Sequence, residues 1–434
     1  MTDRMENRRY VAVSILNEIG ADGYSNRVLD SALDKSKLDG QGRGFVTRMV
    51  YGVIQKKLYL DWLIDNYCKG KKLSEPIKNI LRLGLYQLSF MDKIPDSAAV
   101  NETVQLPAMF GQRSAAGMCN AVLRRFIREG KPTPPQSELS AFYSVDPWII
   151  KLWSKKYSKE TAVSLLQAFD REFDIFVRVN TTKISEDELI FTFEKEGICA
   201  EKTKLSNCLK LHTPGRITDL NSFQNGLFHV QDMSSQISIA ALDPNPGDVL
   251  IDFCAAPGGK SFTAAQYMEN RGEVHSFDLY QNKIVALKAG ALRLGLSIID
   301  GDVHDAGLPL DIKADKIICD VPCSGLGIMG KKPDLRYKSW DEVKNLPDTQ
   351  LKILTNAASH LKPGGVMVYS TCTLNPNEND GVVGKFLREN TDFVIQPINL
   401  FDVESDIINT NGVTLFPHVH GCDGFYIAKI KRIK

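Results

Sequence analysis

The sequence predicts a multidomain protein with three parts of different class. These are an all-α bundle over residues 1–130, a small α+β module over 140–240, and a doubly wound, Rossmann-like α/β domain over 241–434. Three observations carry this. Through the first 130 positions apolar residues recur at helical spacing, with no strand-like alternation. Gly130-Lys131-Pro132-Thr133-Pro134-Pro135 then breaks any helix and opens a linker over 131–139. From Asp248 onward, short β-branched runs alternate with amphipathic stretches, the rhythm of a sheet with crossover helices.

In the bundle, Tyr10, Val13, Leu16 and Ile19 share a helical face, and Gly20 supplies a stop. The pattern recurs at 58–63. Ser74-Glu75-Pro76 opens a helix with proline in its first turn, turning Ile77, Ile80, Leu81, Leu85 and Leu88 inward. Ser97 and Asn101 precede two further stretches, the last at 118–129 with Val122, Leu123, Phe126 and Ile127 on one side. In the middle module Asp146-Pro147-Trp148 starts a helix, a strand is expected at 173–179, a helix at 186–196, and short strands at 209–212 and 227–230. In the third part strands are expected at 249–254, 273–278, 297–302, 314–320 and 366–372. Helices are expected near 261–269, 281–294, 348–361 and 377–388, and a last strand opens at Phe425.

A hydrophobic content of 43% and a charged content of 24% are those of an ordinary soluble protein. Apolar stretches stop well short of a membrane span, and residues 1–9 are polar and charged, unlike a signal peptide. Nine cysteines without regular spacing fit reduced thiols in a cytoplasmic protein. The net charge of +1 conceals an imbalance: residues 1–130 hold 20 Lys/Arg against 14 Asp/Glu, and the remainder 33 against 38. A basic first part is compatible with a nucleic-acid partner. Arg124, Arg125 and Arg128, with Lys56, Lys57, Lys69, Lys71 and Lys72, are candidates for phosphate contact, against the plainer alternative of solvated helix faces. Arg178 and Asn180 are candidates to face an RNA. So are Lys331, Lys332, Arg336 and Lys338 in the long loop 325–340.

Asp252-Phe253-Cys254-Ala255-Ala256-Pro257-Gly258-Gly259-Lys260 joins the first strand of the third part to its helix. Small residues and paired glycines let the backbone approach a ligand, and the helix presents free N–H groups. Asp278 ends the next strand, where an acid binds ribose hydroxyls, and Asp302 ends the third. This pattern fits a dinucleotide or S-adenosylmethionine, and the absence of Gly-x-Gly-x-x-Gly disfavours the dinucleotide.

Cys323, in Asp320-Val321-Pro322-Cys323-Ser324-Gly325, and Cys372, in Ser370-Thr371-Cys372-Thr373, each follow a buried-strand run, so both thiols sit at strand ends. Carbon 5 of cytosine accepts a methyl group only after a thiolate adds at carbon 6, which is nucleophilic covalent catalysis. Asp320 is placed for the pyrimidine N3 and amino edge. The other cysteines, Cys254 included, are read as packing residues. His418-x-His420-x-Cys422 lacks a companion CxxC, and no metal is expected.

Residues 248–431 resemble the RNA cytosine-C5 methyltransferases of the Nol1/Nop2/Sun (Fmu) group. The likeness lies in 254–260, in Asp320-x-Pro322-Cys323-Ser324-Gly325, in Ser370-Thr371-Cys372-Thr373-Leu374-Asn375-Pro376-x-Glu378-Asn379, and in Asp423-Gly424-Phe425-Tyr426. Asn101-Glu102-Thr103-Val104 and Asn120-Ala121-Val122-Leu123-Arg124-Arg125 resemble the NusB-type helical RNA-binding domain. The likeness implies a class I S-adenosylmethionine-dependent fold, with Cys372 as nucleophile and Cys323 assisting product release. It implies cofactor contacts at Cys254, Ala255, Ala256, Pro257, Gly258, Gly259, Lys260, Asp278, Asp302 and Asp320. The fusion implies an enzyme acting on cytosine 967 of 16S rRNA, and a monomer is expected. A tRNA target, or a non-catalytic RNA-binding assembly factor, are the alternatives. Val321 replaces the group's usual alanine and Asp380 a common glutamate.

Overall fold

The computed structural model describes residues 4–22, 25–171, 174–212, 215–398, 408–409 and 411–434. The chain divides into two units, residues 1–170 with 331–338, and residues 171–330 with 339–434.

The first unit is helical: α1 (Arg8–Asp22), α2 (Ser25–Lys35), α3 (Gly40–Gln55), α4 (Lys57–Cys68), α5 (Glu75–Phe90), α6 (Asp96–Met109), α7 (Ala116–Arg128), α8 (Leu139–Tyr143), α9 (Pro147–Lys156) and α10 (Lys159–Phe169). Local chemistry sets the starts. Asp39 accepts from the Gly42 N–H ahead of α3, and Asp146 from the Trp148 N–H ahead of α9. Ile77, Ile80, Leu81 and Leu85 are buried with Leu123 and Phe126, as the spacing predicts. Two expectations shift: α1 runs through Gly20, and Ser97 and Asn101 lie inside α6 instead of ahead of it.

Residues 331–338 belong to this helical unit. Arg336 is fully buried, and its guanidinium donates to the carbonyls of Tyr143 at 2.9 Å and Phe169 at 2.5 Å. The Tyr337 hydroxyl donates to the Ile54 carbonyl at 2.7 Å and accepts from the Lys57 N–H at 3.1 Å. Arg336 is therefore a structural cation and not one that could clamp RNA.

The second unit contains β1 (Ile175–Val179), α11 (Glu186–Lys195), β2 (Cys199–Lys202), β3 (Cys208–His212), α12 (Asn221–Gln224), β4 (Phe228–Val230) and α13 (Met233–Leu242). Phe173, where the first strand was expected to begin, lies outside the described residues. The four strands form an antiparallel sheet ordered β2-β3-β1-β4. Because β1 is central, its polar residues are enclosed. Arg178 donates to the Ser206 carbonyl at 3.0 Å and stacks over Tyr267, while Asn180 donates to the carbonyls of Gly226 and Leu294 at 2.8 Å. Neither faces a groove, so the expected RNA contact at Arg178 and Asn180 is withdrawn.

The large sheet follows: β5 (Val249–Asp252), α14 (Gly259–Tyr267), β6 (Glu273–Asp278), α15 (Gln281–Leu294), β7 (Ile299–Val303), β8 (Ala314–Asp320), α16 (Trp340–Val343), α17 (Leu346–His360), β9 (Leu361–Thr371), α18 (Asp380–Glu389), β10 (Phe393–Gln396), β11 (Ile408–Asn409), β12 (Gly412–Leu415), α19 (Pro417–His420) and β13 (Phe425–Arg432). The order is β11-β12-β13-β9-β8-β5-β6-β7, with β10 on β13. Strands β7, β6, β5, β8 and β9 are parallel, and β13 runs antiparallel to β9. From β5 the chain builds outward to β6 and β7, then returns on the other side with β8 and β9. That reversal opens a crevice at the carboxyl ends of β5 and β8, where open α/β sheets bind ligands. No helix among the described residues is long and apolar enough to cross a membrane.

Candidate active site

The crevice is floored by strand ends. Register places Asp252 beside Ile318 and Asp320 beside Ser370, so the loops after β5, β8 and β9 leave the sheet side by side. A cavity of about 200 Å³ opens there, lined by Cys254, Ala255, Ala256, Pro257, Gly259, Lys260 and Asp320 of the expected residues. Val230, Gln231, Asp232, Ser235 and Asp252 complete its wall. Gly258, Asp278 and Asp302 do not line it.

Gly258 is required by shape. Its φ is +111°, and a Cβ there would lie 2.3 Å from the Phe262 ring. Lys260, one residue into α14, reaches Asp320 at 2.6 Å and lies 5.3 Å from the Phe425 ring centre. Burial pulls the Lys260 ammonium down, but Asp320 and Asp252 outweigh it, and the pKa lies above the ordinary lysine value. The other oxygen of Asp320 accepts from the Ser370 hydroxyl at 2.7 Å. Asp252 is fully buried; Ser261 donates to one oxygen at 2.7 Å, while the other is buried without a partner. Burial raises its pKa to about 7 despite the Ser261 bond.

The two thiols meet: Cys323 Sγ and Cys372 Sγ are 3.3 Å apart. Hydrogen bonding to Cys372 and burial raise the Cys323 pKa, with the Glu378 and Asp320 charges adding to them. Cys323 therefore keeps its proton, and either sulfur can donate in that contact. Farther along, the loop after Cys323 is seated by backbone bonds. The Gly327 N–H donates to the Cys372 carbonyl at 3.0 Å, and the Gly424 N–H to the Gly327 carbonyl at 2.8 Å. A Cβ on Gly327 would lie 1.8 Å from the Gly424 oxygen, and one on Gly424 would lie 2.8 Å from the Gly327 Cα, so the contact needs glycine on both sides.

The residues present fit S-adenosylmethionine. Asp278 ends β6 with its carboxylate on the Tyr280 N–H and on Lys283, at 3.2 Å each. The neighbouring Leu279 and Val303 are exposed apolar side chains, and Asp302 is exposed. At the cavity, the unpartnered Asp252 oxygen and the unpartnered, buried Gln231 amide nitrogen offer an acceptor and a donor suited to an ammonium and a carboxylate.

The 16S rRNA methyltransferase RsmB/F family model matches residues 239–431 and the NusB family model residues 6–128. The ferredoxin-like domain model of RsmF/B-like methyltransferases matches 146–218. A probable ribosomal RNA small subunit methyltransferase B of Bacillus subtilis (strain 168) is 36% identical, covering 94% of this chain and 95% of that one. This chain belongs to the ribosomal RNA small subunit methyltransferase B family. A probable methyltransferase B of Synechocystis sp. (strain ATCC 27184 / PCC 6803 / Kazusa) is 34% identical, covering 99% and 100%. Among solved structures, PH0851 is 25% identical with a TM-score of 0.83, covering 100% of this chain and 99% of that one. The methyltransferase B family thus accounts for the helical domain, the small module and the Rossmann-like sheet together.

Sequence reasoning left Gln231, Asp232 and Glu378 without roles. Asp232 was detectable as the acid before α13: it accepts from the Ser234 N–H at 2.9 Å and also from the Asp423 N–H at 3.1 Å. Among the described residues no group of His, Cys, Asp and Glu could hold a metal ion. His420 is instead bonded to the Phe416 N–H at 2.8 Å.

Proposed function

We propose that this chain methylates carbon 5 of a cytosine in 16S rRNA, cytosine 967 in the position the resemblance implies, through a transient bond between Cys372 and carbon 6. The observation that carries the proposal is the pair of sulfurs 3.3 Å apart at neighbouring strand ends, beside an acidic cavity. S-adenosylmethionine, when bound, supplies an electrophilic methyl group on a sulfonium. Asp278 and Asp302 would hold its ribose and adenine, and the loop 254–260 with Asp252 its methionine end.

The protein does the rest. Cys372 as thiolate adds to carbon 6, and the electron pair moves to carbon 5, which becomes nucleophilic. Asp320, held by Ser370 and Lys260, accepts from the cytosine amino edge and orients the ring. After methyl transfer a base takes the carbon 5 proton, the electrons return, and the bond from Cys372 to carbon 6 breaks. Cys323 keeps its proton beside Cys372 and assists that release. A cytosine reaches such a crevice only when unstacked, which favours a single-stranded or looped rRNA segment. The helical domain supplies phosphate contacts through exposed Lys69, Lys71, Lys72, Arg124 and Arg128. The protein acts as a monomer in the cytoplasm, where its free thiols stay reduced.

Incubation with labelled S-adenosylmethionine and either naked 16S rRNA or tRNA tests the target, and label confined to tRNA would move it. Cys372→Ala should abolish both label and covalent adduct, whereas Cys323→Ala should accumulate a protein–RNA adduct. The opposite pattern exchanges the two roles. Full turnover by Cys372→Ala ends the covalent reading.

A further inference from the structure

We infer that Glu378 is the positioning residue for the two thiols: its carboxylate clamps the turn carrying Cys323 to the turn carrying Cys372 and sets the 3.3 Å separation of their sulfurs. The inference rests on the two-thiol chemistry proposed above and extends it to a residue that touches neither sulfur.

Glu378 is fully buried. One oxygen accepts from the Ser324 N–H at 2.8 Å and from the Gln350 amide at 2.9 Å. The other accepts from the Asn375 amide at 2.8 Å and from the Ser324 hydroxyl. Ser324 follows Cys323, and Asn375 lies three residues beyond Cys372. Gln350 donates at the same time to the Pro322 carbonyl at 2.9 Å, fixing the other side of Cys323. The donors thus come from the flanks of the two cysteines and from one helix residue that braces them.

Proton direction supports this. The Ser324 hydroxyl has one proton, and Glu378 takes it. Thr373, 2.6 Å away and adjacent to Cys372, must therefore donate to Ser324. A relay Thr373 to Ser324 to Glu378 links the residue after one thiol to the residue after the other. Only an acceptor-only group serves four donors, and all four here are neutral. Burying a carboxylate without a cation is costly, a cost that mere filling of space would not require. The negative charge also adds to the effects that keep Cys323 protonated, behind its bond to Cys372 and its burial.

The test compares full-length wild type with Glu378→Gln, Glu378→Ala and Ser324→Ala. Glutamine matches glutamate in volume but turns an NH2 toward the donors. Expected for both Glu378 variants is a fall in kcat on the order of 100-fold, the scale of a 1 Å misplacement. The Kd for S-adenosylmethionine should be unchanged. A second readout needs no RNA: phenylarsine oxide bridges two adjacent thiols, forming two As–S bonds and releasing water. Its capture by Cys323 and Cys372, with Cys323→Ser as blank, should weaken on the order of tenfold as the effective concentration of the second thiol falls. Ser324→Ala keeps the carboxylate but breaks the relay, should fall between, and decides the matter if the Glu378 variants do not fold. Wild-type kcat in Glu378→Gln, or unchanged capture in every variant, overturns the inference. If wild type captures the arsenical but methylates no RNA, the proposed reaction fails, while lost capture in Glu378→Gln still upholds the positioning role.

Discussion

Arg336→Met separates a structural cation from an RNA-binding one. The sequence places Arg336 in a basic loop, but the structure buries it wholly, with its guanidinium on the carbonyls of Tyr143 and Phe169. Methionine keeps most of the stem and removes both bonds. Two charge-assisted bonds are worth about 1.5–3 kcal/mol each. The gain is offset in part because wild type buries the guanidinium with no carboxylate bonded to it, Asp170 acting only through its charge, and with its Nε unpartnered. The net loss for the helical unit is on the order of 2–4 kcal/mol. For a unit of this size that corresponds to a Tm lower by roughly 5–15 °C. Calorimetry of the full chain reads that shift. The logarithmic salt dependence of 16S rRNA binding, measured below the transition, should keep its slope. A variant with wild-type Tm and a slope reduced by about one phosphate contact would refute the reasoning and restore the clamp.

The remaining expectations concern the crevice, pH and RNA. Lys260→Met strips the ammonium from a mostly enclosed pair and should cost about 3–5 kcal/mol in urea unfolding. Asp320→Asn in the same chain should recover part of it, and a loss below about 1 kcal/mol would mean the pair is not structural. Burial, with Arg178 nearby, lowers His229 from 6.5 to about 3, so below pH 6.5 the unfolded chain binds a proton that the folded one does not, and stability falls as pH falls. Burial raises Asp252 from 3.8 to about 7, so the folded chain holds a proton that the unfolded one loses, and stability falls as pH rises through that interval. Each slope is about 1.4 kcal/mol per pH unit, and between 3.8 and 6.5 they oppose each other. Asp252→Asn should leave urea stability rising with pH across that window, and a profile unchanged from wild type rejects the pairing. Arg124→Ala with Arg128→Ala should reduce the salt slope of rRNA binding by about 1.5 and leave donor affinity alone; an unchanged slope removes this helix from the interface. Substitution is the better test than deleting residues 1–130, because deletion would strip 331–338 of its partners.

What could be read in the sequence was what is local. A β-branched run ending in Asp252, Asp278, Asp320 or Thr371 announces a strand end, and the residues just beyond it announce the pocket. The bundle was plain where a helix carries a one-sided apolar stripe, as α7 does with Val122, Leu123 and Phe126 buried. The omissions share a cause. Helix α13 buries Ile237, Ser238, Ile239 and Leu242 on several sides, so it has no stripe to find. The partners of Arg336 lie 193 and 167 residues away, and to sequence alone such a residue is one more cation in a basic loop. Arg178 and Asn180 were misread for the same reason, because their partners are set by which strand is central.

The distribution of charge in the crevice argues for the order in which it fills. Asp252, Asp320 and the adjacent Lys260 stand together, and Asp252 alone has an oxygen with no partner. Without a ligand, burial keeps that carboxyl near the midpoint of its titration around neutral pH. A cationic donor settling against it supplies the charge that ionisation lacks, so binding and deprotonation favour each other. The thiol pair needs no such help, since Glu378 and the Gly327–Gly424 contact fix its two turns from the opposite side. In the proposed reaction the donor half of the site is completed by its ligand, whereas the thiol half is built in advance.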